Sequence, residues 1–188
     1  MSKIGVFLDR DDTVIKDKVY LKDPDEIEIL PGVPKAIKQL NDKGVPVIII
    51  SNQSGIARGY FDEAMLAEIH SRLLSMLAGH GATIDGIYYC PHHPEGIVEV
   101  YRRVCNCRKP SPGMLYKAAG DFELDLSKCY MVGDNLIDVE TIHRAGGKGI
   151  IIERGGDHLW ENIAEYIAKD LMDAVQWILK DIGSSDAD

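Results

Sequence analysis

IGVFLDRDDT, residues 4–13, is a short apolar run that ends in a cluster of carboxylates. Side chains two positions apart in an extended segment point the same way, so Asp9 and Asp11 should project together beyond the end of a strand. Two adjacent like charges repel and shift each other's titration. A divalent cation would make this arrangement favourable, whereas a solvated turn after a strand is the alternative interpretation of a bare Asp-x-Asp.

Outward from this run, short apolar segments alternate with helical patterns along the chain. This alternation predicts an α/β fold, a Rossmann-like parallel sheet with helices on both faces. The segment VPVIII at 45–50 is apolar throughout, as expected of a strand that is buried on both sides. The predicted strands are residues 4–8, 45–50, 86–89, 130–132 and 149–152, and the predicted helices are residues 33–43, 62–79, 113–122, 138–145 and 171–180.

Length and composition indicate one globular domain, because 188 residues are enough for a sizeable core. We predict a single domain over residues 1–182, without a large cap domain, and a flexible tail at 183–188. A net charge of -9 argues against nucleic acid or a membrane surface as a partner. Since neither a long apolar run nor a signal peptide is visible, we expect a cytoplasmic monomer with reduced cysteines.

Polar or charged side chains follow four of the predicted strands. Ligands of parallel α/β sheets bind beyond the carboxyl ends of the strands, so these side chains should meet at one edge. In chain order they are Asp9 and Asp11, then Ser51-Asn52-Gln53-Ser54-Gly55, then Arg108 and Lys109 at the end of a long polar loop, and finally Gly133-Asp134-Asn135. Together, residues of these types suit a metal ion and a phosphoryl group.

The long loop after the third strand has the spacing of a metal site. CPH at 90–92 and CNC at 105–107 supply a Cys₃His set, as in tetrahedral Zn²⁺ sites. Four protein ligands would make the ion structural, so that it folds residues 90–107 and holds Arg108 and Lys109 in place. His93 is an alternative to His92, and three free thiols beside a surface histidine are the rival interpretation. A disulfide is less favoured in a reducing compartment.

These strand-end motifs resemble the four motifs of the haloacid dehalogenase superfamily of phosphotransferases. The match runs from about residue 4 to about residue 152 and consists of Asp9-Arg10-Asp11-Asp12-Thr13, Ser51, Lys109 and Gly133-Asp134. Within the superfamily, the chain is similar to phosphatases of heptose bisphosphate and of histidinol phosphate. That similarity lies in SNQSGIARG at 51–59, CPHHP at 90–94 and CNCRKP at 105–110, and it favours His92 as the zinc ligand.

The resemblance implies a Mg²⁺-dependent phosphatase and a role for each matching residue. Asp9 would attack phosphorus and form an aspartyl-phosphate, while Asp11 would act first as an acid and then as a base. Ser51 and Lys109 would contact the phosphoryl group. The implied Mg²⁺ ligands are Asp9, Asp134 and the Asp11 carbonyl, with Asn135 and Asp138 as supporting groups. The implied substrate contacts are Asp17, Tyr20, Ser51, Asn52, Gln53, Ser54, Arg58, Arg108 and Lys109, although Asp17, Tyr20 and Arg58 could equally be solvated loop residues.

The first motif departs from the relatives at two positions. Asp12 stands where they usually have glycine, and we expect its carboxylate to face away from the phosphate, which it would repel. Ile15 stands where they often have asparagine, which bears on substrate contacts and not on the reaction.

The substrate implied by resemblance is D-glycero-D-manno-heptose 1,7-bisphosphate, which would lose its 7-phosphate on the route to surface polysaccharide. Histidinol phosphate is the alternative substrate, but Arg108 favours the heptose because a second phosphate would reward an extra cation. A non-catalytic phosphosugar-binding protein is the rival from another class. The intact set of Asp9, Asp11, Ser51, Lys109 and Asp134 argues against that rival.

Overall fold

A computed structural model describes residues 3–153 and 162–185 of the chain. Among these residues, six strands form one sheet in which every neighbouring pair is parallel. The strands are β1 (Val6–Leu8), β2 (Val47–Asn52), β3 (Gly86–Cys90), β4 (Tyr130–Gly133), β5 (Lys148–Ile152) and β6 (Tyr166–Ala168). The helices are α1 (Val33–Asp42), α2 (Glu63–Gly79), α3 (Gly113–Phe122), α4 (Leu136–His143) and α5 (Leu171–Ser185), with 3₁₀ turns at Pro24–Glu26, Glu99–Tyr101 and Leu126–Lys128.

The strand order places the end of β1 at the centre of the sheet. The order is β3-β2-β1-β4-β5-β6, so the chain builds outward from β1 on one side and then returns to start the other side at β4. Leu8 pairs with Ile49 of β2 and with Val132 of β4, which brings the carboxyl ends of these strands to one level. A crevice at such a reversal of strand order is where open α/β sheets bind ligands.

Helices cover both faces of the sheet, which confirms the predicted α/β architecture. Alternate side chains of β1 divide between two apolar clusters, as the twofold period of a strand requires. Val6 and Leu8 join the larger cluster with residues of α1, α2 and α5, whereas Phe7 joins the smaller one with residues of α3 and α4. No helix within the described ranges is both long and apolar enough to span a membrane.

The structure departs from the sequence prediction most at β6, α4 and α5. The short edge strand β6 was not predicted, because Glu165 and Lys169 interrupt the apolar pattern on both sides of its three residues. Helix α4 begins two residues earlier than predicted, because Asn135 caps it and Asp138 completes the capping box. Helix α5 includes residues 183–185 of the predicted tail, where the Ser184 hydroxyl donates to the Lys180 carbonyl at 2.9 Å. Residues 186–188 lie outside the described residues.

Candidate active site

Three carboxylates meet where β1 and β4 end. One oxygen each of Asp9, Asp134 and Asp138 lies within 4.8 Å of the other two. Burial raises the pKa of Asp9 to about 7, and the charges of Asp138 and Asp11 add to the rise against the opposing effect of Lys109. Burial and the charge of Asp138 raise the pKa of Asp134 to about 6. The cluster thus holds more negative charge than its surroundings favour, which a cation would offset.

Lys109 supplies positive charge to this cluster from the end of the long loop. Its Nζ donates to Asp9 Oδ1 at 2.5 Å, to Asp138 Oδ1 at 2.6 Å and to the Ile50 carbonyl at 3.0 Å. Burial acts to lower the pKa of Lys109, but Asp138 and Asp9 outweigh it and hold that pKa above its usual value. Asp138, predicted as a supporting group, is a buried ion-pair partner whose Oδ2 also accepts from the Asn135 amide at 3.2 Å.

Asn52 ties the end of the loop to β2. Its Oδ1 accepts from the backbone amide of Lys109 at 3.0 Å, and its Nδ2 donates to the backbone carbonyl of Lys109 at 3.2 Å. The sequence predicted Asn52 as a substrate contact. In the structure its side-chain amide forms hydrogen bonds with the backbone of Lys109. Asn52 therefore places Lys109, which follows it by 57 residues in the sequence.

Asn52→Ala should reduce turnover by about 10- to 100-fold, because a shift of about 1 Å in a catalytic group can cost that much. The natural control is Asn41→Ala. Asn41 makes the same pair of bonds with the Thr83 backbone, at 2.8 and 3.0 Å, before the start of β3 and therefore at the end of the parallel sheet opposite the carboxylates. Both variants should lose about 1–3 kcal/mol of stability in urea unfolding, since each removes two hydrogen bonds. Equal loss of turnover in the two variants would show that Asn52 does not act through Lys109.

Asp11 lies outside the three-carboxylate cluster, and both of its carboxylate oxygens accept hydrogen bonds from neighbouring side chains. Oδ1 accepts from Arg10 Nε at 3.1 Å and Nη2 at 2.9 Å, and Oδ2 accepts from Gln53 Nε2 at 3.1 Å. Gln53 Nε2 also donates to Ser51 Oγ at 2.6 Å, which leaves the buried Ser51 hydroxyl its own proton to donate. Gln53, predicted as a substrate contact, thus links Asp11 to Ser51. Sequence reasoning missed Arg10, because strand alternation would point it away from Asp11.

Two adjoining clefts open above these residues. The inner cleft, of about 200 Å³, has six aspartates and Lys109 in its lining, and the outer cleft, of about 290 Å³, is lined mostly by loop residues. Asp11, Asp17 and Asn52 line both clefts. The inner cleft is completed by Asp9, Asp12, Lys109, Asp134, Asn135, Ile137 and Asp138. The outer cleft is completed by Arg10, Val19, Tyr20, Gln53, Ser54 and Gly55, so predicted substrate contacts at Asp17, Tyr20 and Ser54 do line a cleft.

The loop after the first motif explains both departures from the relatives. Asp12 has φ +54°, in the left-handed region where glycine is most at ease and Asp is tolerated. Asp12 is one of the residues that line the inner cleft, and its Oδ1 accepts from the Asp17 amide at 3.1 Å. The direction of its carboxylate relative to a bound phosphate stays a prediction. Ile15 is fully buried in the larger apolar cluster, so that departure concerns packing.

Arg58 and Arg108 do not belong to the described lining of either cleft. Arg58 Nη2 lies 3.3 Å from His93 Nε2, and Arg108 Nη1 donates to the His92 carbonyl at 3.4 Å. Burial, followed by the charges of Arg108 and Arg58, lowers the pKa of His93. These two predicted substrate contacts, Arg58 after β2 and Arg108 on the long loop, therefore lie near His93 and outside the described linings of the two clefts.

The predicted zinc ligands lie together. Donor atoms of Cys90, His92, Cys105 and Cys107 all fall within 4.8 Å of one another. The three Sγ–Sγ distances are 3.2, 3.3 and 3.5 Å, too long for a disulfide of about 2.05 Å, and His92 Nδ1 lies 3.3 Å from Cys107 Sγ. His93 is not part of this group and instead accepts from the Glu95 amide. Soft thiolates with one imidazole are the donor set that Zn²⁺ prefers.

Known proteins match the chain in sequence and in structure. The family model for haloacid dehalogenase-like hydrolases matches residues 4–146. The D-glycero-beta-D-manno-heptose-1,7-bisphosphate 7-phosphatase of Haemophilus ducreyi is 41% identical over 182 residues, 95% of the chain and 100% of the relative. The protein of the same name from Escherichia coli is 40% identical over 179 residues, 94% of each. The crystal structure of D,D-heptose 1,7-bisphosphate phosphatase from B. bronchiseptica, complexed with magnesium and phosphate, is 34% identical with a TM-score of 0.82, over 96% of the chain and 99% of the neighbour.

Proposed function

Since the chain belongs to the haloacid dehalogenase-like hydrolases and is a phosphatase, we propose that it removes the 7-phosphate of D-glycero-β-D-manno-heptose 1,7-bisphosphate. The observation that carries this proposal is the ion pair between Asp9 and Lys109 at the carboxyl end of β1, beside two polar clefts. Relatives about 40% identical over nearly the whole chain bear the name of this activity. The product would supply activated heptose for surface polysaccharide.

The proposed reaction has two displacements. A carboxylate oxygen of Asp9 attacks phosphorus as the bond to the 7-oxygen breaks, and Asp11 gives a proton to that oxygen. Water then attacks the aspartyl-phosphate and loses a proton to Asp11, which restores both aspartates. Lys109 and the Ser51 hydroxyl offset the charge that builds on the phosphoryl oxygens.

We propose that Mg²⁺ is held by Asp9, Asp134 and the backbone carbonyl of Asp11. The residues present fit the ion, because carboxylate oxygens of Asp9 and Asp134 already lie in one cluster and are the hard donors that Mg²⁺ prefers. Asp138 is the less suitable member, since one of its oxygens accepts from Lys109 and the other from the Asn135 amide. When bound, the ion would neutralise charge on the transferring phosphoryl group.

We also propose a structural Zn²⁺ bound by Cys90, His92, Cys105 and Cys107, whose donor atoms form one compact group. Thiolates of this kind persist in a reducing compartment, which agrees with a cytoplasmic location. A monomer would suffice for catalysis, because residues of one chain line both clefts.

The test of the substrate is a comparison of kcat/KM for both anomers of the heptose bisphosphate and for histidinol phosphate. We expect the β anomer to be hydrolysed best. Higher kcat/KM for histidinol phosphate would replace the proposed substrate with the alternative one. Absence of Mg²⁺-dependent turnover on all three, and on an aryl phosphate, would instead support a non-catalytic phosphosugar-binding protein.

Arg108→Met should lower kcat/KM for the bisphosphate by about 10- to 100-fold, as expected when one charge-assisted contact to a phosphate is lost. The heptose with only its 7-phosphate should be hydrolysed as well by the variant as by the parent enzyme. Arg102→Met is the matched control, since Arg102 is an exposed arginine of the same loop. An equal loss on both sugars would mean that Arg108 does not recognise the second phosphate.

A further inference from the structure

A buried arginine lies directly behind the proposed acid and base. The Arg10 side chain is only 2% exposed, whereas its ion-pair partner Asp11 is 27% exposed at the boundary of the two clefts. Arg10 Nη2 reaches both carboxylate oxygens of Asp11, at 2.9 and 3.0 Å, and Nε reaches Oδ1 at 3.1 Å. Arg10 lies in a bend of the chain after β1 has ended at Leu8, and its long side chain reaches the carboxylate of the residue that follows it.

Gln53 also binds the carboxylate of Asp11. Its Nε2 donates to Asp11 Oδ2 at 3.1 Å, and its Oε1 accepts from Arg10 Nη2 at 3.1 Å. Both oxygens of Asp11 therefore accept from donors that follow β1 and β2, namely Arg10 and Gln53. A planar guanidinium that contacts two oxygens fixes the plane of a carboxylate, which a single point charge cannot do.

His70 backs the guanidinium from helix α2. Its Nε2 lies 3.5 Å from Arg10 Nη1, and the imidazole is buried. Burial and then the charge of Arg10 lower the pKa of His70 to about 3, so the ring is neutral at physiological pH and can accept from Arg10. The guanidinium is thus enclosed between a neutral acceptor on one side and Asp11 with Gln53 on the other.

We propose that Arg10 is a positioning residue that sets the orientation of the Asp11 carboxylate for proton transfer to the leaving oxygen. This inference rests on the proposed phosphatase reaction. As the bond from phosphorus to the leaving oxygen breaks, its electron pair goes to that oxygen, and the proton on Asp11 follows it. A buried ion pair contributes little net stability compared with apolar packing, so stability alone does not account for a buried arginine here.

The test uses two substrates that differ in their need for a proton. The sugar alkoxide of heptose bisphosphate leaves poorly without one, whereas the phenolate of 4-nitrophenyl phosphate leaves without one. Arg10→Met should lower kcat/KM, which reports the steps up to release of the leaving group, by about 100-fold on the sugar phosphate, as when general acid catalysis is lost, and by less than about 5-fold on the aryl phosphate. Arg10→Lys keeps the charge but loses the planar fork, so its loss on the sugar phosphate should be smaller, about 10-fold.

Two further variants serve as controls for the Arg10→Met result. Lys148→Met removes another ion pair, with Asp181, from the opposite end of the sheet, and it should leave kcat/KM on both substrates unchanged. If Arg10→Met does not fold, Arg10→Lys tests the positioning role by the same comparison of the two substrates, because it retains a buried cation. Equal losses on both substrates, or no loss, would overturn the positioning role. Absence of turnover by the parent enzyme would overturn the phosphatase proposal itself, which is a separate outcome.

Discussion

Asp9→Asn should abolish turnover, with kcat at least about 10⁴-fold lower on heptose bisphosphate and on an aryl phosphate, since removal of an enzyme nucleophile typically has effects of this size or larger. The amide cannot form the aspartyl-phosphate from which the second displacement starts. The fold should persist, because Lys109 keeps its ion pair with Asp138 at 2.6 Å and its bond to the Ile50 carbonyl. Phosphate release in the presence of Mg²⁺ measures the turnover, and circular dichroism measures whether the variant is folded.

A covalent intermediate gives a second measurement. Mass spectrometry of the acid-quenched parent enzyme should find a phosphoryl group on Asp9, and Asp9→Asn should carry none. Asp42→Asn is the control, because Asp42 pairs with Lys38 on an exposed helix surface and should not affect turnover. If Asp9→Asn kept full turnover, water would have to attack the substrate directly and the two-step reaction would be wrong.

Cys107→Ser should have the largest effect on stability. It removes one of four grouped donors, so zinc content should fall from about one ion per chain to nearly none. Stability should fall by at least about 4 kcal/mol, because loss of a structural metal is among the most costly changes. Turnover should fall with it by about 100-fold, since Lys109 lies two residues beyond Cys107 and depends on the loop for its position.

Elemental analysis, thermal unfolding and kcat check this prediction together. Cys129→Ser is the matched control. Cys129 is another free cysteine, fully buried where Cys107 is partly buried, and its Sγ accepts from the Gly5 amide at 3.3 Å and is not part of the metal group. That variant should keep its zinc. A metal-free Cys107→Ser protein with the stability and turnover of the parent would show that the loop folds without an ion.

The fold was largely predictable because most of its strands and helices have a local pattern of apolar residues in the sequence. Apolar runs of three to six residues predicted five of the strands in the described ranges, and the comparison with known family members confirms the α/β architecture. Strand β6 was not predicted because its three residues stand between the charged residues Glu165 and Lys169, which interrupt the apolar pattern on both sides. The start of α4 was misplaced because Asp138 resembled the start of a helix, whereas it closes a capping box with Asn135.

The sequence by itself determined which residues stand at the strand ends, since parallel strands deliver the residues that follow them to one edge. It therefore predicted Asp9, Lys109 and Asp134 as neighbours, and it also predicted the group of three cysteines and one histidine. Only the tertiary structure decided what each side chain does with its polar atoms. Asn52 holds the Lys109 backbone, Asp138 pairs with the Lys109 ammonium, and Arg10 donates to Asp11. The first two contacts join residues 57 and 29 positions apart, and all three depend on rotamers that are chosen by packing, which no local pattern in the chain records.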